Sequence, residues 1–434
     1  MTHRTPAGRR LQVDALARVE GEGAMYVDIE GDEVRDVQLR IYEPPRFFEA
    51  FLVGRAYTEP ADITARICGI CPVAYQMSAC LAIEDACGVR VDGPLHDLRR
   101  LLYCGEWIES HTLHVHLLHA PDFLGYEGAI DLAKDHRMEV ERGLELKKIG
   151  NEIVEIVGGR AIHPVNVKVG GFYRLPSRQE RRALRERLLR AVDLATEVVA
   201  WVGGFSFPEL THAHELVALQ DSERYAVMDG RVISDGGLDV DAAGFGAAAV
   251  EEAVAHSTAL HATLLDRGNY LVGPMARLPL GFDRLAEPAR EAATAVGLGP
   301  DTRNPFRSIV TRAVEVLHAC VEAVAILDDW EEPDAPAIAV APRAGEGHGV
   351  TEAPRGLLYH RYVLDEDGTI LEVQITPPTS QNQATIEHDL FHLVESHLDL
   401  ADDELQHLAE QAIRNYDPCI SCATHFLDLE VRRR

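Results

Sequence analysis

The 434-residue chain has no excess of basic charge: Lys+Arg number 42 against Asp+Glu 70, a formal net charge of −28. A polyanion or an anionic membrane surface would repel it, which argues against nucleic-acid and polybasic lipid-binding roles. It has no apolar run approaching 18 residues, so no transmembrane helix is expected. The N-terminus MTHRTPAGRR is basic but lacks the apolar stretch of a signal peptide. Internal repeats and low-complexity tracts are missing. No GxGxxG follows a strand, and Gly158-Gly159-Arg160 lacks the Lys-Ser/Thr ending of a phosphate loop. Neither motif therefore marks a nucleotide site on this chain. The composition reads as a soluble, intracellular globular chain, large enough to bury a core without disulfides.

What is present is cysteine in a pattern. Four of the eight cysteines form two C-x-x-C pairs, one near each end: Arg66-Ile67-Cys68-Gly69-Ile70-Cys71-Pro72 and Asp417-Pro418-Cys419-Ile420-Ser421-Cys422. Gly69 lets the backbone bend so that both thiols of the first pair can face one point, and Pro72 suits a helix's first turn. Three readings follow. A structural zinc site would use four thiolates, but usually from one short ribbon. Two thioredoxin-like motifs would each want a βαβ context that neither pair has. A single four-thiolate site for a soft transition metal suits both pairs at once. Cys80, Cys87, Cys104 and Cys320 read as buried small side chains.

Periodicity predicts strands over Gly23–Glu30 and 34–42, flanking Gly31-Asp32-Glu33 as a hairpin, and a second hairpin over 357–375 turning at 365–368. Helices are predicted over Pro72–Cys87 with Gly88 as the stop, 94–119, from Ser177 (a capping box) to Gly203, 242–265, 305–330, and 380–416 in two pieces. The stretch 330–355, rich in Pro, Gly and acidic residues, reads as a loop or a boundary. His111, His114, His116 and His119 cluster on one predicted helix but cover more than one face, and read as structural.

The segments RICGICP and DPCISCATH together resemble the large subunit of nickel–iron hydrogenases. LARVEGEG, EPPRFFEAFLVGR, GGRAIHPVNVKVGG, EAPRG and PPTSQN resemble further family segments in the family's order, so the likeness runs from about Val13 to His425. RICGICPVAYQMSA and LLYCGEWIESHTLHVHLLHAPDFLG resemble most the cytoplasmic, bidirectional NADP-linked group, the sulfhydrogenases. The resemblance implies a mainly α fold, a long-helix bundle with small antiparallel β elements, forming a single domain over 1–434. Its parts would be an N-terminal β-hairpin region 11–45, a helical core 46–330, a β-hairpin and metal-binding region 331–425, and a tail 426–434 removed by a maturation protease.

The resemblance also implies site roles. Cys68 and Cys419 would be terminal nickel ligands, and Cys71 and Cys422 would bridge nickel to an iron carrying CO and two cyanides. Arg355 would hang over the open metal position; Pro354 and Thr379 would bind the cofactor, Thr379, with Ser380 as competitor, by hydrogen-bonding a cyanide. Glu20 would relay protons from the terminal cysteine. Glu49 and His425 would hold magnesium or iron. Tyr75 and Ser110 stand where many relatives carry histidine and aspartate. The implied partners are a small iron–sulfur subunit, a flavin (FAD) NAD(P) diaphorase subunit and a ferredoxin-like subunit. A quinone-site subunit like that of complex I, which lacks the cysteine pairs, and a four-cysteine zinc protein are the rival expectations.

Overall fold

A computed structural model describes residues 9–211 and 214–424. His425 and the 426–434 tail, for which ligation and cleavage were expected, lie outside the described residues. The N-terminal hairpin forms as Gly23–Glu30 against Glu33–Ile41, with Gly31 at φ +65° in the turn and Arg9–Val13 added as a third antiparallel strand. Met25, Val27 and Ile29 alternate into the core, the period of a half-buried strand.

Long helices make the centre: Pro72–Cys87, Gly93–Leu113, Arg137–Gly158, Arg178–Gly203 and Ser308–Asp329. Pro72–Cys87 ends where Gly88 adopts φ +67°, and Ser177 caps Arg178–Gly203 in a reciprocal box with Glu180. Two glycines allow a close helix crossing. A Cβ at Gly150 would stand 2.7 Å from the Glu109 amide nitrogen and 2.8 Å from the Gly105 carbonyl oxygen, both on Gly93–Leu113. In an exposed helix Gly→Ala gains up to about 1 kcal/mol. Here Gly150→Ala is expected to destabilise instead, by roughly 1–3 kcal/mol of overpacking, measured as a lower midpoint of chemical unfolding.

The structure departs from the sequence reading in four places. The predicted 94–119 helix continues past Leu113 as a π-helical turn, His114–His119. The predicted 242–265 helix stops at Ala248, and Ala249–Glu252 pairs antiparallel with His261–Leu264 instead. A short Ala/Val run has no periodicity that separates strand from buried helix. The 330–355 "loop" contains the strand Gly345–Ala353, which pairs with Gly356–Leu364 and, through it, Ile370–Thr376. Its glycines are the reason it was unreadable. Cβ atoms at Gly347 and Gly349 would lie 2.1 Å from Ala82 O and 2.4 Å from Ser78 O, so this face is pressed against the Pro72–Cys87 helix. A four-stranded sheet of Glu215–Gln220, Arg231–Ser234, Asp239–Val240 and Tyr270–Leu271 was also not anticipated. Helices dominate the core, but five sheets among the described residues make "mainly α" an understatement of the strands.

Candidate metal centre

The two cysteine pairs meet. Cys71 is the residue before the Pro72–Cys87 helix, and Cys419 precedes the short helical turn Ile420–Ala423. Cys68 Sγ lies 3.4 Å from Cys419 Sγ, Cys71 Sγ 3.4 Å from Cys422 Sγ, and Cys419 Sγ 2.7 Å from Cys422 Sγ. All four sulfurs lie within 4.8 Å of one another, and all four residues are buried. The other four cysteines stay outside this cluster.

Distant residues hold the two loops in register. The Arg46 guanidinium donates to Ile67 O (2.6 Å) and to Ser421 O, tying one cysteine segment to the other. The Glu106 carboxylate accepts from the Val73 and Ala74 amides at 2.6 and 3.1 Å, satisfying the helix N-terminus beside Cys71. Thr379 Oγ1 accepts from the Cys419 amide at 3.0 Å. Sequence reasoning gave Arg46 and Glu106 no role.

Arg355 sits opposite the sulfurs. Its Nε donates to Asp417 O (2.7 Å) and one terminal nitrogen to Asp417 Oδ1 (3.1 Å), while Nη1 is buried without a hydrogen-bond partner among the described residues. Burial works against the charge, but Asp417 and the cysteine sulfurs outweigh it and keep the guanidinium protonated. A buried arginine positions its loop: Arg277 pairs with Glu315 and Glu352 and donates to Ala353 O (2.7 Å) and Pro354 O (3.0 Å). The Pro354 carbonyl is therefore engaged by Arg277. A small cavity between Arg355 and the sulfurs is lined by Cys71, Tyr75, Ala353, Leu358, Pro378, Cys419 and Cys422. Ser380 Oγ is buried with no partner among the described residues.

Glu20 reaches the same cluster from the N-terminal segment. Its Oε2 accepts from Cys419 Sγ at 3.2 Å and from the Ser421 amide at 3.0 Å, and its carbonyl accepts from Ile420 N. Burial, reinforced by the neighbouring Cys68, raises its carboxyl above the usual range. Glu49 Oε1 accepts from Ile375 N (2.7 Å), and burial lifts its carboxyl to about 7. Glu251, which the sequence did not single out, lies close enough to Glu49 to repel it. It bonds Thr376 Oγ1 (2.9 Å), and burial lifts it to about 8. Its Oε1 is buried without a partner among the described residues.

The four histidines are packed into the core. His111 Nε2 faces Glu315 at 2.9 Å, His114 faces Arg414 O at 2.7 Å, and His119 lies between Asp122 and Asn415. His116 stacks on Trp201. Tyr75 Oη lies 3.5 Å from Cys422 O, and the Ser110 hydroxyl is buried without a partner among the described residues.

The residues fit a thiolate-bound metal centre. Hydrogen bonding by Cys419 pulls the Cys68 thiol down, while burial pushes Cys419 and Cys422 up, so these thiols do not all ionise without added positive charge. A soft transition metal supplies that charge. The orphaned Arg355 Nη1 offers a donor to a group in the cavity. Glu49 and Glu251, both half-buried, repel each other electrostatically.

The chain belongs to the nickel-dependent hydrogenase family, whose model matches residues 46–142 and 307–425. It is 33% identical to the sulfhydrogenase 1 subunit alpha of Pyrococcus furiosus over 426 residues, covering 96% of this chain and 98% of that one. It is also 33% identical to the same organism's sulfhydrogenase 2 subunit alpha, covering 96% and 100%. A solved NAD+-reducing [NiFe]-hydrogenase in its H2-reduced state superposes with a TM-score of 0.87 at 30% identity, covering 96% and 99%. Among the described residues, no helix is long and apolar enough to cross a membrane.

Proposed function

We propose that this chain is the catalytic large subunit of a cytoplasmic nickel–iron hydrogenase, passing electrons through iron–sulfur and flavin subunits to NAD(P). The observation that carries the reading is the convergence of four buried cysteines with Glu20 at hydrogen-bond range of Cys419 and Arg355 lining the cavity beside Cys71, Cys419 and Cys422. Cys68 and Cys419 would be terminal nickel ligands, and Cys71 and Cys422 would bridge to an iron bearing CO and two cyanides. When bound, such a centre supplies heterolytic cleavage of H2.

The chain's own residues handle the rest. Arg355 keeps a fixed positive charge and an unused N–H at the cavity, where charge development is stabilised by a dipole or cation already in place. Leu358 and Pro378 give it apolar walls. Glu20 takes a proton at Oε2 from the Cys419 sulfur at hydrogen-bond range. Thr379 holds the Cys419 backbone amide, and Thr379, or Ser380 in its place, would supply the hydroxyl for a cyanide. Glu49 and His425 would hold magnesium or iron, with Glu251 facing Glu49.

With two cysteine pairs committed to one centre, the chain has no motif for a cluster chain of its own. The intact complex is expected to reduce a viologen dye and NAD(P) with H2; once the flavin subunit is removed, dye reduction should persist and NAD(P) reduction should stop. No hydrogen-dependent dye reduction by nickel-loaded complex would refute the reading. Thr424 is wholly buried, so the charged tail FLDLEVRRR cannot follow it inward without stranding charge in low dielectric. We expect removal of 426–434 by a maturation protease, and intact mass spectrometry of active enzyme showing a chain ending at Arg434 would contradict this.

A further inference from the structure

The Ala249–Glu252/His261–Leu264 hairpin brings a second set of ligand-type side chains together, sharing no residue with the thiol cluster or the Glu49 site. We propose that His256, His261 and Glu387 form a site for one divalent transition ion of the zinc class, completed by water. His256 lies in the hairpin connection, His261 opens its second strand, and Glu387 projects from the Pro378–Glu395 helix. One donor atom from each lies within 4.8 Å of the others. His256 Nε2 is 2.8 Å from Glu387 Oε1, and His261 Nδ1 is 3.9 Å from Glu387 Oε2. Metal–ligand bonds of about 2.0–2.2 Å give tetrahedral edges of roughly 3.3–3.6 Å. The two separations fall on either side of that value, within reach of small side-chain rotations.

The site is built before any ion arrives. Thr258 donates its amide and hydroxyl to Ile41 O at 2.8 and 3.1 Å, and its hydroxyl also reaches Glu43 O at 2.8 Å, which pins the connection to the N-terminal sheet. The Leu39 amide donates to Glu387 Oε1 at 2.8 Å, orienting the carboxylate from behind, as outer partners of metal ligands do. His261 is 8% exposed, and its Nδ1, the nitrogen that faces Glu387, is too far from the carboxylate for a hydrogen bond. Burial of so polar a ring is costly unless something engages it. His256 and Glu387 remain partly open, which provides a route in and room for the water.

Two imidazoles and a carboxylate with an open fourth position are a zinc donor set, whereas calcium and magnesium call for oxygen ligands. Such an ion would staple the hairpin that carries Glu251 to the helix that carries Thr379.

The test uses the nickel-loaded enzyme with its partner subunits, given one equivalent of zinc and then dialysed. Mass spectrometry and X-ray absorption at the zinc edge should find about one zinc per chain in a nitrogen/oxygen shell with imidazole scattering and no sulfur. His256→Ala with His261→Ala should lower zinc occupancy at least ten-fold while nickel stays constant. If that double variant loses nickel through misfolding, Glu387→Gln, which keeps an oxygen for Leu39, should show the same zinc loss alone. His388→Ala, in the neighbouring His214–His388–Asp389 group, should retain the zinc. Zinc absent from the parent enzyme, zinc bound to sulfur, zinc undiminished in the folded His256/His261 or Glu387 variant, or zinc lost in His388→Ala would each overturn the proposal.

Discussion

Serine at position 71 or 422 is expected to yield a folded chain without nickel and without hydrogen-dependent activity. The change is one atom in size, so packing survives, and the effect isolates the sulfur. A hydroxyl ionises far less readily than a thiol and is a hard donor, whereas both proposed metals here want soft, electron-rich thiolate. The geometry sharpens the expectation, because Cys71 and Cys422 face each other at 3.4 Å and both line the cavity beneath Arg355. Cys80→Ser is the internal control: Cys80 is equally buried but lies outside the cluster. It should cost some stability and keep its nickel. Metal analysis of the three variants checks this, and native nickel content in Cys71→Ser or Cys422→Ser would remove the bridging assignment.

Glu20→Gln should separate metal binding from proton movement. Glutamine keeps the side-chain oxygen that accepts from Ser421 N, so the loop before Cys422 stays in place. It cannot accept and release a proton at the position 3.2 Å from Cys419 Sγ. Loss of a positioned acid–base group typically costs about 10²–10⁴-fold, and a fall of that size is expected in H2 oxidation and in hydrogen–deuterium exchange with solvent. Nickel content should be unchanged. A fully metallated variant with normal exchange would take Glu20 out of the proton path.

Comparing residues shows why some of this was legible in the sequence. The cysteine pairs announce themselves by local spacing, whereas Glu20 and Arg355 are singled out only by the resemblance of the segments around them to family segments. The first hairpin and the Pro72–Cys87 and Arg178–Gly203 helices carry their own stop and start residues, Gly31, Gly88 and Ser177. Arg46, Glu106 and Arg277 carry no such mark. Each matters through a partner far away in the chain, Ser421, Val73 and Pro354 respectively, and only folding creates those pairs. The Gly345–Ala353 strand failed for a related reason. Glycines at 345, 347 and 349 follow the two-residue period of a strand face, but they weaken strand propensity, and their purpose appears only once the helix lies against them. His256, His261 and Glu387 belong to the same class, since a misread helix over 242–265 hid the hairpin that brings them together.

The central claim is that the four converging cysteines hold nickel and iron rather than zinc. The most direct measurement is metal analysis of the purified, active complex combined with its infrared spectrum. The account predicts about one nickel per chain, absorption bands from iron-bound CO and cyanide, and loss of both in Cys422→Ser. Zinc bound to the four sulfurs, with no nickel and no CO or cyanide bands, would contradict it.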